Sequence, residues 1–423
     1  MKPFASVGVI AWVIAISVSG FAESVPEFNS TLHRHSEKPS SSALATQDAQ
    51  AQFALGVGFT NDSNPRQATE NDEADNQIEE ILSVRFMKKW SKKSSVKVEY
   101  QGNFRQYLDQ TDLGNNEQLL NIGLESKFGI EDRMEFKIAN RFGLLSDVSA
   151  FDATTDAEVA MRNVNELNPV FSSKIGQSFR TEVGMIWRLV SYTDEIYEQL
   201  NSQTIAPFLQ FGYLGLGKNM ELYGQYSMTM MSYENEDRLG VYSAAGFTAH
   251  SMYIGFSNKY LKNLDYNLRL GFSMLTVTDE AGDTSDFDND DSSDLSAMLK
   301  VDYKLLKGER AKLSAIFTRG FVPSSVSNFA IANSFEMRWT HMFGERKQFE
   351  YNVGLVYTDV ARSIEDNDVN RIGARAAFSY WYWDKGPVNS SAYLAFDFAS
   401  RAADNEASEY DRTRMTIGVV ASY

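Results

Sequence analysis

Leu295-Ser-Ala-Met-Leu-Lys-Val-Asp-Tyr-Lys-Leu305 decides the fold. Leu295, Ala297, Leu299, Val301, Tyr303 and Leu305 alternate with Ser296, Met298, Lys300, Asp302 and Lys304. A spacing of two is strand periodicity, because successive side chains of an extended chain point to opposite faces. One face here is apolar and the other carries charge. Phe53, Leu55, Val57 and Phe59 repeat the pattern near the start. Met415, Ile417, Val419, Ala421 and Tyr423 repeat it at the end. Each alternating segment is about ten residues long, the length a tilted strand needs to cross a bilayer.

Counting outward from this stretch gives about eighteen such segments, with sixteen to twenty allowed. The sixth (163–172) is interrupted by Pro169 and the eighth (204–213) by Pro207, residues that cannot donate to a ladder. The connections alternate in length. Long ones include 61–78, 145–160, 231–249, 277–294, 358–370 and 400–411. Short ones include Lys89–Ser95, Gly129–Arg133, Lys174–Ser178 and Lys307–Ala311. Long external loops and short periplasmic turns are the asymmetry of bacterial outer-membrane barrels. Charge follows it: Lys88, Lys89, Lys92 and Lys93 crowd a short turn, while long loops carry Asp and Glu. The expected fold is all-β, a transmembrane antiparallel β-barrel occupying 51–423. A soluble sandwich also alternates, but a closed soluble barrel of this size would leave its interior too wide to fill with side chains. No Gly-His or Trp-Asp repeat marks a propeller.

The first residues read as an address. Lys2 precedes the apolar run Val7–Val18, and Gly20-Phe21-Ala22 supplies small residues at a cleavage site. Residues 1–22 are therefore expected to be a cleaved signal peptide, with an uncleaved anchor as the alternative. Residues 23–50 are Ser-rich and without period, and read as a polar periplasmic tail or a plug for the barrel.

Composition closes several functional classes. The 423 residues carry 40 Lys and Arg against 56 Asp and Glu, a net charge of −16. Nucleic-acid binding, which needs a basic surface, is excluded. No Cys is present, so thiol catalysis, Cys-ligated zinc and iron–sulfur clusters are excluded, and no cofactor is expected. Of the 4 His, His33 and His35 lie in the tail, and His250 and His341 share the apolar parity of their strands. No His is left to act as a base inside the barrel, and nothing singles out a carboxylate pair, so no enzyme is expected.

The opening Phe53-Ala-Leu-Gly-Val-Gly-Phe-Thr-Asn-Asp-Ser-Asn64, followed by Trp90, Tyr100 and the Arg105-Gln-Tyr107 group, resembles the first strands of a diffuse group of outer-membrane β-barrel porins. That group opens with a Gly-x-Gly-Tyr-Asp-x-Asn-like sequence. Phe59 stands where Tyr is usual there. The resemblance implies an outer-membrane barrel of the kind linked to exopolysaccharide export or surface secretion.

The apolar parity should meet lipid and the other parity should line the lumen. The lumen parity holds more bases than acids, although the whole chain is acidic. Arg105, Arg141, Arg180, Arg188, Arg338, Arg375, Lys137 and Lys300 are the expected pore-lining cations. Two readings of them stand. A net-positive lumen concentrates anions, and Arg grips carboxylates by a fork. Alternatively, neighbouring strands simply pair these charges across the lumen, such as Glu135 or Lys137 with residues of adjacent strands. Aromatics near strand ends read as interfacial girdles. Trp381 and Trp383 have lumen parity, which leaves room for a sugar-stacking platform.

Asp279–Asp294 holds eight acids and no base. Asp286, Asp288 and Asp290 have the 1-3-5 spacing of a calcium loop, but Asp291 stands where Gly is required and Ala297 where Glu is required. The loop is a weak metal candidate at most, and reads first as solvated and self-repelling.

The function expected from these residues is a porin-like channel in the Gram-negative outer membrane. It would pass small hydrophilic, anionic solutes or an anionic polysaccharide. Its partners would be outer-membrane lipid, lipopolysaccharide and the barrel assembly machinery, and a homo-oligomer is compatible with the pattern. The alternative is a non-conducting surface barrel whose acidic loops bind cations or a partner.

Overall fold

The computed structural model describes residues 49–65, 73–147, 160–193, 198, 201–217, 219–233, 246–261, 263–277, 292–305, 310–322, 330–344, 348–362, 369–383, 388–403 and 409–423. The signal, the tail up to residue 48, and Asp286, Asp288, Asp290 and Asp291 lie outside these residues, and the last two residues assigned to the tail, Ala49 and Gln50, open the first strand.

Eighteen strands follow in chain order: β1 Ala49–Asp62, β2 Asp75–Lys89, β3 Ser94–Tyr107, β4 Asn115–Phe128, β5 Met134–Asp147 and β6 Ala160–Ile175. Next come β7 Phe179–Tyr192, β8 Ser202–Tyr213, β9 Met220–Tyr233, β10 Phe247–Leu261, β11 Leu264–Val277 and β12 Ser292–Lys304. The last six are β13 Ala311–Val322, β14 Ala330–Phe343, β15 Phe349–Arg362, β16 Val369–Trp383, β17 Asn389–Ala403 and β18 Tyr410–Ser422. Each pairs antiparallel with its sequence neighbour, and β1 also pairs with β18, so the sheet closes on itself. Closure leaves no unpaired edge, the condition for a sheet to sit in lipid.

The register keeps one parity outside around the whole ring. Leu55, Ile254, Leu270, Leu295 and Ile417 are exposed, and they project from the outer face. Polar and charged residues of the opposite parity point in. This inversion of a soluble core follows from two solvents: hydrocarbon outside and a polar interior. Aromatic rings gather at the short-turn end of β14–β16. Phe343 and Phe349 stack at 5.2 Å, Phe349 and Tyr380 lie 5.0 Å apart, and Trp339 meets Tyr351 edge-on at 5.7 Å. His341 and His250 both project outward and bond tyrosine hydroxyls, Tyr351 at 3.0 Å and Tyr226 at 2.8 Å.

Pro169 and Pro207 are accommodated as outward residues. They flank Met185 of β7 in the register: Pro207 pairs with it on β8, and Pro169 stands opposite it on β6 in the gap between Leu167–Trp187 and Val170–Gly184. Each leaves a local gap in one ladder only, at Asn168–Pro169 against β7 and at Ala206–Pro207 against β9. A proline removes one donor, so the strand survives with a single missing rung.

Inside, aromatic side chains lie over glycines of the adjacent strand. Tyr393 faces Gly418, Tyr223 faces Gly255, Tyr253 faces Gly271 and Phe208 faces Gly184. The ring needs the space a Cβ would take, so glycine is required for close approach rather than for its dihedral freedom. At the closing seam Arg412 of β18 holds Asp62 of β1 by a fork, Nε to Oδ1 at 2.9 Å and Nη2 to Oδ2 at 2.5 Å. Thr60 and Thr416 share a 2.8 Å hydrogen bond on the same wall.

Candidate channel lumen

A ring of this strand number is wide, so what fills it decides what passes. Three walls differ in chemistry.

The β2–β5 wall and its extension to β9 are laced with ion pairs. Glu99 holds Arg85 at 2.5 Å and Lys97 at 2.7 Å. Arg105 sits between Glu79 at 3.6 Å and Glu117 at 3.3 Å. Lys127 bridges Glu125 and Glu135, and Lys137 bonds Glu135 at 3.0 Å. Arg180 bonds Glu182 and, at 3.2 Å, Glu221. Positive and negative groups cancel here within a few ångströms, which leaves little far field.

The β9–β12 wall is lined in part by small hydroxyls. Ser251, Ser273 and Ser296 form a chain of hydrogen bonds at 2.7 and 2.6 Å. Arg269 of the same wall lies 4.3 Å above the Tyr253 ring and donates to Gln225 at 3.4 Å.

The β16–β18 wall is arginine-rich. Its described inward residues include Arg371, Arg375, Arg401, Arg412 and Arg414 against one acid, Asp397. Asp62 of β1 adds a second carboxylate at the seam. Arg371 and Arg401 stand directly opposite each other in the register, and Arg371 donates to the Tyr410 hydroxyl at 3.1 Å. Like charges directly across a sheet are destabilising. Arg375 faces Asp397, with Nε 3.5 Å from the carboxylate. Gly373, Ala377, Ala395, Ala399 and Gly418 put small groups at inward positions between them, which leaves room for long guanidinium side chains, while Tyr393, Tyr410 and Trp381 are the large inward residues of this wall.

These arginines are not bathed in open solvent. Arg375 is 3% exposed and Arg401 4%. Asp62, Asp75 and Ser273 are 0–1% exposed. These side chains are packed into the wall, whereas the inward Lys97, Lys127 and Arg338 are between 42% and 48% exposed. The segment after β3 is tied down at its start. Asp75 accepts backbone N–H bonds from Asp109 at 3.2 Å and Gln110 at 2.8 Å, and Leu113 is buried beneath.

Each pore-lining residue expected from sequence points inward. They do not form one ladder. Arg105, Lys137 and Arg180 are in ion pairs on the first wall. Arg141 and Arg188 flank Glu166 in the register. Arg338 bonds Glu336 at 3.0 Å, and Lys300 stands between Asn267 and Ile316. Of the eight, only Arg375 belongs to the arginine wall. Arg401 falls in 400–411, which reads as a loop although β17 runs to Ala403, and Arg371 is the first residue after the loop 358–370; continued parity along β16 and β17 is the signal for both. Asp62, Asp75, Glu79 and Glu117 likewise lie near the ends of β1, β2 and β4, beyond the stretches whose alternation is clear. Trp381 points inward opposite Ser391. Among the described residues, no group of three or more His, Asp or Glu is placed to hold a metal.

A closed, wholly antiparallel barrel of this strand number with an apolar exterior is the porin type of architecture. No protein-family profile matches the chain, and no curated protein does. Among solved structures it is similar to a BenF-like porin from Pseudomonas fluorescens, at 12% identity over 89% of this chain and 99% of that one, with a TM-score of 0.48. It is also similar to OccK2 (OpdF) of Pseudomonas aeruginosa, at 11% identity over 89% and 98% of the two chains and a TM-score of 0.47. OpdK of the same organism, solved with vanillate, is 11% identical over 89% and 99%, with a TM-score of 0.45. Identities this low say nothing about cargo.

Proposed function

We propose that this chain is a channel of the Gram-negative outer membrane, exported through a cleaved signal peptide, that passes small hydrophilic solutes and favours organic anions. The observation that carries this is the arginine wall. On β16–β18 the described inward residues set five guanidiniums against one carboxylate, while the opposing walls are charge-balanced or hydroxyl-lined. A surplus of fixed positive charge beside low-dielectric wall raises the local anion concentration. Guanidinium binds carboxylate in a planar fork and stays charged at any working pH. The near-complete burial of Arg375 and Arg401 argues for a narrow passage, and so for single small anions rather than a polysaccharide chain. The apolar belt supplies the lipid contact.

The test is single-channel recording of the refolded protein in a planar bilayer under a salt gradient. Anion selectivity that falls when Arg371→Gln and Arg401→Gln are combined supports the reading. Cation selectivity of the wild type, or no conductance from a correctly folded barrel, overturns it. The second of these points to the surface-binding alternative.

A further inference from the structure

The outer belt is apolar around most of the ring. On β10–β12 the outward residues include Met252, Ile254, Leu270, Phe272 and Leu299, all exposed. The sector β2–β6 breaks the pattern. Glu80 projects outward on β2, in the row of Val57 and Phe104, and is exposed. Asn116 and Gln118 are outward and exposed on β4. Asn140 lies at the middle of β5, between the outward Ile138 and Phe142. Its Nδ2 donates to Asn165 Oδ1 at 2.9 Å and to the Glu166 carbonyl at 3.4 Å. Both amide hydrogens of Asn140 are thereby used. Its Oδ1, the Nδ2 hydrogens of Asn165 and the Glu80 carboxylate have no partner among the described residues.

Hydrocarbon offers none. An unpaired amide edge is strongly penalised there, and an outward acid adds to the penalty. We propose that this sector faces a second copy of the same chain, and that copies associate in the membrane through the outer face of β2–β6. The patch is self-complementary in its chemistry. It carries acceptors (Asn140 Oδ1, Glu80) and donors (Asn165, Asn116 and Gln118 amides) on one surface, as a contact between identical faces requires. Polar side chains and close packing, rather than hydrophobic burial, hold membrane segments together. On their inner side the same strands carry the densest ion pairing, which stiffens the wall that would bear the contact.

The chain has no Cys, so one introduced thiol reports one position. Gln118→Cys and Asn116→Cys are treated with a short bis-maleimide in native outer membranes, with Met274→Cys on β11 as the control. Cross-linking to a product of twice the chain mass at 116 and 118, and not at 274, is the expected result. Equal products at all three positions, none at 116 and 118, or a product of another mass overturns the proposal; the last assigns the face to a different protein. Independently, Asn140→Leu with Asn165→Leu should convert the gently extracted protein from a multiple to a single chain mass while its heat-modifiable mobility stays that of a folded barrel. A wild type that extracts as a single chain, or an assembly unchanged by the double variant, counts against the proposal equally.

Discussion

Gly418→Ala tests how tightly the interior is fitted at the closing seam. An added Cβ would sit 2.6 Å from Tyr393 Cζ and 2.7 Å from Cε1. Carbon atoms prefer about 3.5–4.0 Å, so the overlap is about 1 Å. The ring has little room to withdraw. Tyr393 is 3% exposed and packs with Ala54, Ile81, Ala395 and Val420, and Gly58 continues the row beyond Gly418. Overpacking of this kind costs about 1–3 kcal/mol. Gly224→Ala is the control, since its Cβ would meet only the Tyr253 carbonyl oxygen at 3.9 Å; removing glycine flexibility there should be neutral or slightly stabilising. The assay is equilibrium urea unfolding of the barrel in lipid vesicles, followed by tryptophan fluorescence. In a Tyr393→Ala background the ring is gone, so Gly418→Ala should cost nothing further. The coupling energy should equal the single-variant penalty. A Gly418→Ala protein as stable as Gly224→Ala, or a penalty that persists without the tyrosine, would refute the steric reasoning.

Arg412→Ala strips the buried Asp62 carboxylate of its fork and should cost about 3–5 kcal/mol in the same unfolding assay, whereas a double replacement by apolar residues of similar volume should be close to neutral. Ser273→Ala removes the middle of the Ser251–Ser273–Ser296 chain and leaves two buried hydroxyls short of a partner, so a loss of about 1–3 kcal/mol is expected, with Ser391→Ala for comparison. Asp75→Ala releases the backbone of Asp109 and Gln110, and limited proteolysis of intact cells should then cut within 108–114 at protease levels that spare the wild type.

Strand count, closure and the choice of outer face were legible in the chain because each depends on a local rule. A side-chain period of two survives any tertiary arrangement, and a bilayer forces every outward position of every strand to obey it. Thus Leu295–Leu305 already separates lipid face from lumen face, and every lumen cation assigned from parity does point inward. Pro169 and Pro207 weakened two strands on paper, yet each removes only one rung of a ladder that has two sides. Boundaries were less legible. Near the ends the outward residues turn polar as they leave hydrocarbon, so alternation fades while hydrogen bonding continues. Arg371 and Arg401 stand in that margin.

What the sequence could not decide is which inward charges meet. Parity says that Arg105 and Arg375 share a face of the sheet, but sheet register and barrel closure say that Arg105 lies between two glutamates while Arg375 joins four other arginines. Asp62 and Arg412 are 350 residues apart in the chain and touch only because β1 returns to β18. The same holds for Asn140 and Asn165, whose meeting on the outer face depends on the alignment of β5 with β6. Periodicity is a property of each strand alone and is written in the sequence. Charge balance, and with it selectivity and association, is a property of neighbouring strands, and only the closed barrel fixes which neighbours those are.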